Sequence, residues 1–317
     1  MMIALGLLAY AAANAVLMPR LLIGARWTCR SPGLAIAAWR MLTLTVLLAL
    51  VLAGLSLSVA SPPIEHRIAD LLHACAVALS EQYTSSGGAL AGAIGLLIAA
   101  VVIGRLGYCL FSASVRSRRA VRTQLRGLRL VGQPLWDTGA TVIPHALPAV
   151  YCLAKGSGTV VMTSAAVRAL DAAQVEAVLA HERGHLRRKD HRLLMVSSAL
   201  TTAFPILPVF RLAHEQLAQL VELRADDAAI RLHQRRDLAR ALVRLAEGTI
   251  PAPALGAGNI ATVERLQRLT NPRPPVGRLA RLTGLVAGAA TAALPVVLAV
   301  APAIAAAELG YCPVPFS

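Results

Sequence analysis

The sequence predicts a mainly α, polytopic membrane protein: about four transmembrane helices carrying one water-facing domain of helices with a small β element. Three observations predict it. Apolar residues make up 56% of the 317 residues and charged residues only 15%, against about half and a quarter in soluble globular chains. The apolar excess lies in four long runs, each sufficient to cross about 30 Å of hydrocarbon as a helix. The net charge of +15 sits in one block: Arg116 to Arg281 holds 25 Lys+Arg against 12 Asp+Glu, and the rest of the chain 6 Arg against 4 acids.

The runs are Met1 to Met18, about Ala35 to Ala60, about Gly88 to Phe111 and about Leu282 to Ala307. The first has no positive flank ahead of it, as a secretory signal would. Its arginines follow it, as Arg20, Arg26 and Arg30, so it reads as a retained span. Arg40 and Arg105 stand near the inner ends of the second and third runs, where a long side chain can snorkel to the interface. Residues 19–34 carry three Arg and no acid, whereas 61–87 carry Glu65, Asp70 and Glu81 against Arg67. The positive-inside rule then places 19–34 and 112–281 in the cytoplasm, with 61–87 and both termini outside. The expected organisation is 1–111 as three spans, 112–281 as the cytoplasmic domain, 282–307 as the fourth span and 308–317 as an external tail. With 29 Arg against 2 Lys, a GC-rich coding sequence and hence a bacterial inner membrane are expected.

The same charge pattern excludes a class. Basic residues between spans are explained by topology, and aromatics at 4% leave little to stack on bases, so no direct nucleic-acid binding is expected. The five cysteines show no CxxC spacing, which excludes a cysteine metal site. Cys75 and Cys312 both fall on the external side, where a disulfide can form. Gly88 with Gly92, and Gly284 with Gly288, have the small-xxx-small spacing that allows close helix contact in a bilayer.

Within the basic block, Val150 to Leu153 and Thr159 to Met162 read as two strands joined by a glycine-containing turn. A strand edge beside an active site can hold an extended peptide; a hairpin packed under a helix is the equal alternative. Asp171 is a helix N-cap ahead of His181-Glu182-Arg183-Gly184-His185. On a helix, residues four apart share a face, so His181 and His185 can address one cation. Glu182 lies about 100° round the helix, outside that pair but within reach of a water held by the cation. That is the HExxH pattern of two ligands and a general base. With 8 His and 9 Glu in the chain, it arises by chance about 0.5% of the time. A third ligand is needed, and Glu222 can complete the set, an exposed helical acid being the alternative. Asp226, four residues on, can orient a ligand histidine. Asp190 supports either the end of the first helix or the site. The apolar stretch Leu193 to Ala213, broken by Pro205 and Pro208, cannot be one crossing, since that would part Glu222 from His181. It is a buried helix pair or a hairpin dipping into the membrane face.

HExxH followed by Arg187-Arg188-Lys189-Asp190, then ExxxDxxA at Glu222 to Ala229, resembles the M56 metallopeptidases, membrane proteases of the BlaR1/MecR1 antibiotic-sensing type. The resemblance covers most of the chain. It implies a zincin-like protease domain, one Zn²⁺ held by His181, His185 and Glu222, and Glu182 as catalytic base. It also implies cleavage of a cytoplasmic protein, with a transcriptional repressor of the BlaI/MecI type as the expected partner. The sensor members carry a penicillin-binding domain after the last span. Here about ten residues follow that span, with no Ser-x-x-Lys motif, so direct covalent β-lactam sensing is not expected. Two rivals stand beside this reading: an M48-type quality-control protease, and a membrane receptor or scaffold without catalysis. A homo-oligomer is compatible with all three. His214, His233 and Arg224 are the candidate oxyanion donors.

Overall fold

The computed structural model describes residues 2–58, 86–135, 138–154, 158–247 and 257–308. Four helices in it are long and apolar enough to cross a membrane. They belong to α1 (Met2–Gly24), α3 (Pro32–Ser58), α4 (Ser86–Val131) and α11 (Arg278–Glu308), with the single turn α2 (Trp27–Arg30) between the first two. Half of the apolar window of α3 is buried, against 22% or less for the others, so α3 is the post around which α1, α4 and α11 stand. Gly54 of α3 makes the tightest approach. A Cβ there would lie 3.0 Å from Gly95 O and 3.2 Å from Ala99 N of α4, which only glycine avoids. Cys75 and Cys312 lie outside the described residues, and so do the loop residues 61–85.

Helix α4 does not stop at the end of its apolar run. It continues unbroken past Phe111 to Val131, 46 residues in all, because Arg116 to Arg129 are interleaved with good helix formers and contain no Pro. Such a helix is about 69 Å long, so its basic half projects beyond any bilayer and delivers the chain to a four-stranded sheet. The strands are β1 (Gln133–Leu135), β2 (Ala140–Ile143), β3 (Val150–Leu153) and β4 (Thr159–Thr163). Their order is β1-β2-β4-β3, with β2 and β4 parallel and the other pairs antiparallel. The β3–β4 hairpin stands where the sequence reading places it, with β4 running one residue further to Thr163, and β1 and β2 extend it to a four-stranded sheet. Gly158, at φ +85°, closes the hairpin. A Cβ at that position would run into Leu186 at 2.8 Å, so the turn seats directly on the HExxH helix.

After a short α5 (Ser164–Ala169) come α6 (Ala172–Arg188), α7 (Asp190–Ala203), α8 (Pro208–Ala229), α9 (Arg235–Glu247) and α10 (Ala257–Thr270). Asp171 caps α6 through a reciprocal capping box with the buried Gln174. The apolar stretch after the motif is an antiparallel hairpin: α7 ends at Ala203, Pro205 sits in the turn and Pro208 opens α8. Arg105 of α4 donates to the Ala203 carbonyl and so caps the end of α7. Ser197 and His214 meet across the hairpin at 2.8 Å. The hairpin packs on α3 through Leu200, Phe210 and Leu217 against Trp39, Leu42 and Val46, and on α4 through Ala199 and Ala203 against Cys109. A second core, of Met162, Val178, Leu179, Leu238 and Leu269 among others, joins the sheet to α6, α9 and α10. The helices that carry the site are therefore wedged between the span bundle and the sheet.

Candidate metal centre

Helices α6 and α8 cross where their side chains are smallest. Gly184 of the HExxH turn lies against Ala225 and Ala228, and a Cβ on it would meet the Ala228 methyl at 3.3 Å. The close crossing brings the Glu222 turn of α8 level with the His181–His185 face of α6. We expect Gly184→Ala to fold, since a gain in helix propensity offsets a tight contact, whereas Gly184→Leu wedges the helices apart at a cost of about 1–3 kcal/mol. Thermal melts with metal content measured on both variants check this: only the leucine variant should lose metal.

The three side chains meet in a small triangle. His181 Nε2 and His185 Nε2 are 3.2 Å apart; the first is 3.4 Å from Glu222 Oε2 and the second 3.4 Å from Glu222 Oε1. Four-coordinate tetrahedral bonds of about 2.0–2.1 Å place ligand atoms about 3.3–3.4 Å apart. The two nitrogens already stand close to that spacing and Glu222 spans them with its two oxygens, so the three side chains, whose ligand atoms lie within 4.8 Å of one another, can close on a single cation. His181, His185 and Glu222 are the one group of this kind among the described residues.

Each imidazole is held from behind by a carboxylate, which turns Nε2 toward the triangle. His185 Nδ1 donates to Asp190 at 2.8 Å. His181 Nδ1 is 2.9 Å from Asp226, although its N–H does not point squarely at the oxygen. Asp190 reaches back because Lys189 takes the left-handed conformation at φ +55°, ending α6 and starting α7 in one residue. The open choice for Asp190 is thus decided in favour of the site. Both acids are buried and both carry an arginine: Arg224 on Asp190, and Arg265 on Asp226 through two bonds of 2.9 and 2.7 Å. Arg265 Nη1 also lies 3.1 Å from Glu222. Nothing in the sequence singles out Arg265 among 29 arginines; its one trace is the pair Arg265/Arg268 on α10 matching Asp226/Asp227 on α8.

Charges follow from these contacts. Burial opposes a proton on His181, but Asp226 and Glu222 outweigh it and carry its pKa up to about 9. Burial raises Asp226, yet His181 and Arg265 reverse this and hold it at about 2. Glu182 is raised, chiefly by burial. Its carboxylate accepts from the Cys152 thiol of β3; burial and that carboxylate push the thiol up to about 12. Of the three oxyanion candidates, Arg224 is committed to Asp190 and His214 to Ser197 in the hairpin. His233 lies in the turn after α8, its backbone N–H bonded to the Ala229 carbonyl.

Strand β3 is the edge of the sheet, so its outer backbone groups have no strand partner among the described residues. A cavity of about 160 Å³ opens beside Glu222 and Arg265, between Cys29, Gln216, Gln219 and Glu264.

No curated protein and no solved structure matches this chain. A protein family does: the BlaR1 peptidases M56 match residues 7–269, from the first span through nearly all of α10, and so include all the residues of the triangle and its supports. With that match over most of its length, and four helices fit to cross a bilayer around a His-His-Glu cluster, the chain belongs to the BlaR1 peptidase M56 family of membrane metallopeptidases.

Proposed function

We propose that this protein is a zinc-dependent endopeptidase of the bacterial inner membrane that cuts a cytoplasmic protein, a transcriptional repressor of the BlaI/MecI type being the expected substrate. The observation that carries the reading is the 3.2–3.4 Å triangle of His181, His185 and Glu222 with Glu182 poised beside it. Two nitrogens, one carboxylate and an open corner are the donor set of a catalytic rather than a structural zinc site. Zinc held there supplies Lewis acidity to a scissile carbonyl and lowers the pKa of water toward about 7. Asp190 and Asp226 fix the two ligand imidazoles. Glu182 takes a proton from the attacking water and delivers it to the leaving amine, a role suited by its raised pKa. The free edge of β3 holds an extended peptide by backbone hydrogen bonds past Glu182. The basic flank of α4 and the charge asymmetry of the loops support a cytoplasmic domain with both termini outside. The family match favours regulated cleavage over quality control. Retention of Glu182 favours an enzyme over a scaffold, since a purely structural site needs ligands and no base.

The test is removal and return of zinc. Full-length protein in membranes, with a co-expressed repressor, should hold about one zinc per chain. A chelator should stop cleavage and zinc restore it, with the cut read by intact-protein mass spectrometry. Many cuts in unfolded proteins would favour quality control, and cleavage that persists without metal would sink the reading. Zinc uptake should also release protons. In the metal-free site His181 keeps its proton up to about 9, and a ligand must lose it. Apparent affinity should therefore weaken as pH falls below that value. Calorimetry in two buffers of different ionisation enthalpy counts the protons.

A further inference from the structure

Two cavities meet where α1, α3 and α11 leave the apolar zone. The first is a groove of about 730 Å³ between those helices, walled by Leu34, Ala38 and Met41 of α3 and by Gly284, Ala287 and Gly288 of α11. The glycines keep it open: a Cβ on Gly284 would stand 3.7 Å from Leu34, and one on Gly288 3.9 Å from Met41, so only small residues leave room between the helices. From Ala280 to Thr291 it follows α11, a length of about 16 Å. The second cavity, about 680 Å³, lies at the mouth of the first and shares Arg30, Leu34 and Leu285 with it. The segment 271–277 crosses this junction, pinned where Arg30 donates to Pro274 O at 2.9 Å and Val276 N to Ser31 Oγ at 3.1 Å.

Eight arginines and one acid line the second cavity. Asp227 is already taken by Arg268 at 2.6 Å, and Arg224 is turned to Asp190. Arg30 and Arg188 donate to backbone carbonyls. Arg231, Arg235, Arg273 and Arg281 have no carboxylate within ion-pair distance among the described residues. The crowding is costly: burial, with the Arg224 guanidinium next, holds Arg188 below its ordinary range. A cavity with this lining calls for an anion, and a soluble anion would leave the adjoining groove empty.

We propose that the paired cavities bind one anionic phospholipid, its phosphate among Arg231, Arg235, Arg273 and Arg281 and an acyl chain in the groove between α1, α3 and α11. Basic pockets between membrane helices take such head groups in this way. The site is separate from the metal centre, but they share a wall: Arg188 donates to the Arg224 carbonyl, Arg224 holds Asp190, and Asp190 holds His185. The proposal rests on the membrane-spanning reading of the four helices and not on peptidase activity, so binding alone tests it.

The experiment is native mass spectrometry of the full-length protein, released from vesicles of phosphatidylglycerol mixed with phosphatidylcholine. Wild type should retain one phosphatidylglycerol and prefer it at least about tenfold. The pair Arg273→Gln and Arg281→Gln should lose that preference. So should Gly284→Leu, which fills the groove and leaves every charge in place. The pair Arg118→Gln and Arg122→Gln, on the exposed basic half of α4, removes the same charge elsewhere and should bind as wild type. Far-UV circular dichroism identifies a variant that has not folded, and Gly288→Leu, one turn deeper, then carries the groove arm. The proposal is overturned if the α4 pair loses lipid equally, which means general attraction to a basic surface. It is overturned too if the groove variants bind normally, or if millimolar inorganic phosphate displaces the lipid, which means a site for free phosphate.

Discussion

Replacing Glu182 with Gln should leave zinc content unchanged and lower proteolysis by about 10²–10⁴-fold, the usual worth of a positioned general base. The geometry separates the two readouts. Glu182 is next to His181 in sequence but about 100° round α6, and its carboxylate accepts from the Cys152 thiol of β3. Gln keeps the shape and can still accept from the thiol, but it cannot take a proton. Metal analysis beside a cleavage assay decides the matter. Loss of zinc along with activity would make Glu182 a ligand; unchanged cleavage would remove it from the chemistry and return the scaffold reading.

The second large effect is expected at a residue that touches no substrate. Asp226 is 1% exposed and binds Arg265 through both oxygens while standing behind His181. Asp226→Ala leaves a buried guanidinium, itself 13% exposed, with Glu222 as its remaining acid. Breaking a buried pair from one side costs about 3–5 kcal/mol, and losing the carboxylate behind a ligand histidine lowers metal affinity about 10–100-fold. Denaturant melts and competitive zinc titration measure these separately. Pairing Asp226→Leu with Arg265→Met should recover much of the stability, since no charge is then left unpaired, but none of the affinity. A single Asp226→Ala variant that melts and binds zinc as wild type does would show the pair to be idle. The pH dependence has a definite sign. Asp226 ionises at about 2 when folded against 3.8 ordinarily, so its contribution is present above 3.8 and lost as pH falls toward 2.

How legible each part was depends on the range of the interaction that makes it. The four spans could be read because burial in lipid is a property of composition over about twenty residues. The clustered side chains could be read because one helix turn converts a spacing of four into a shared face, at His181 and His185 and again at Glu222 and Asp226. The hairpin Leu193 to Ala213 followed from continuity alone: its ends carry residues that must meet. Strands β1 and β2 could not be read, since β2 lies parallel to β4, a partner from beyond β3 in the chain that no local turn announces, and β1 is placed by its pairing with β2. The unbroken course of α4 past Phe111 was hidden because a change of solvent does not end a helix.

What the sequence by itself determined is thus the class of protein, the side chains that converge in one His-His-Glu cluster and the carboxylate next to them in the chain, all set by local periodicity and by apolar length. What only the tertiary structure decided is how that chemistry is held. Asp190 could serve the helix or the site until Lys189 was seen to turn the chain back on His185. His214 and Arg224 could have met an oxyanion until the hairpin and Asp190 were found to occupy them. Arg265 becomes distinguishable from 28 other arginines only when α10 packs over Asp226. The physical reason is the same in each case: a buried charge must find its partner wherever packing places one, and that partner comes from a helix whose distance along the chain no local pattern records.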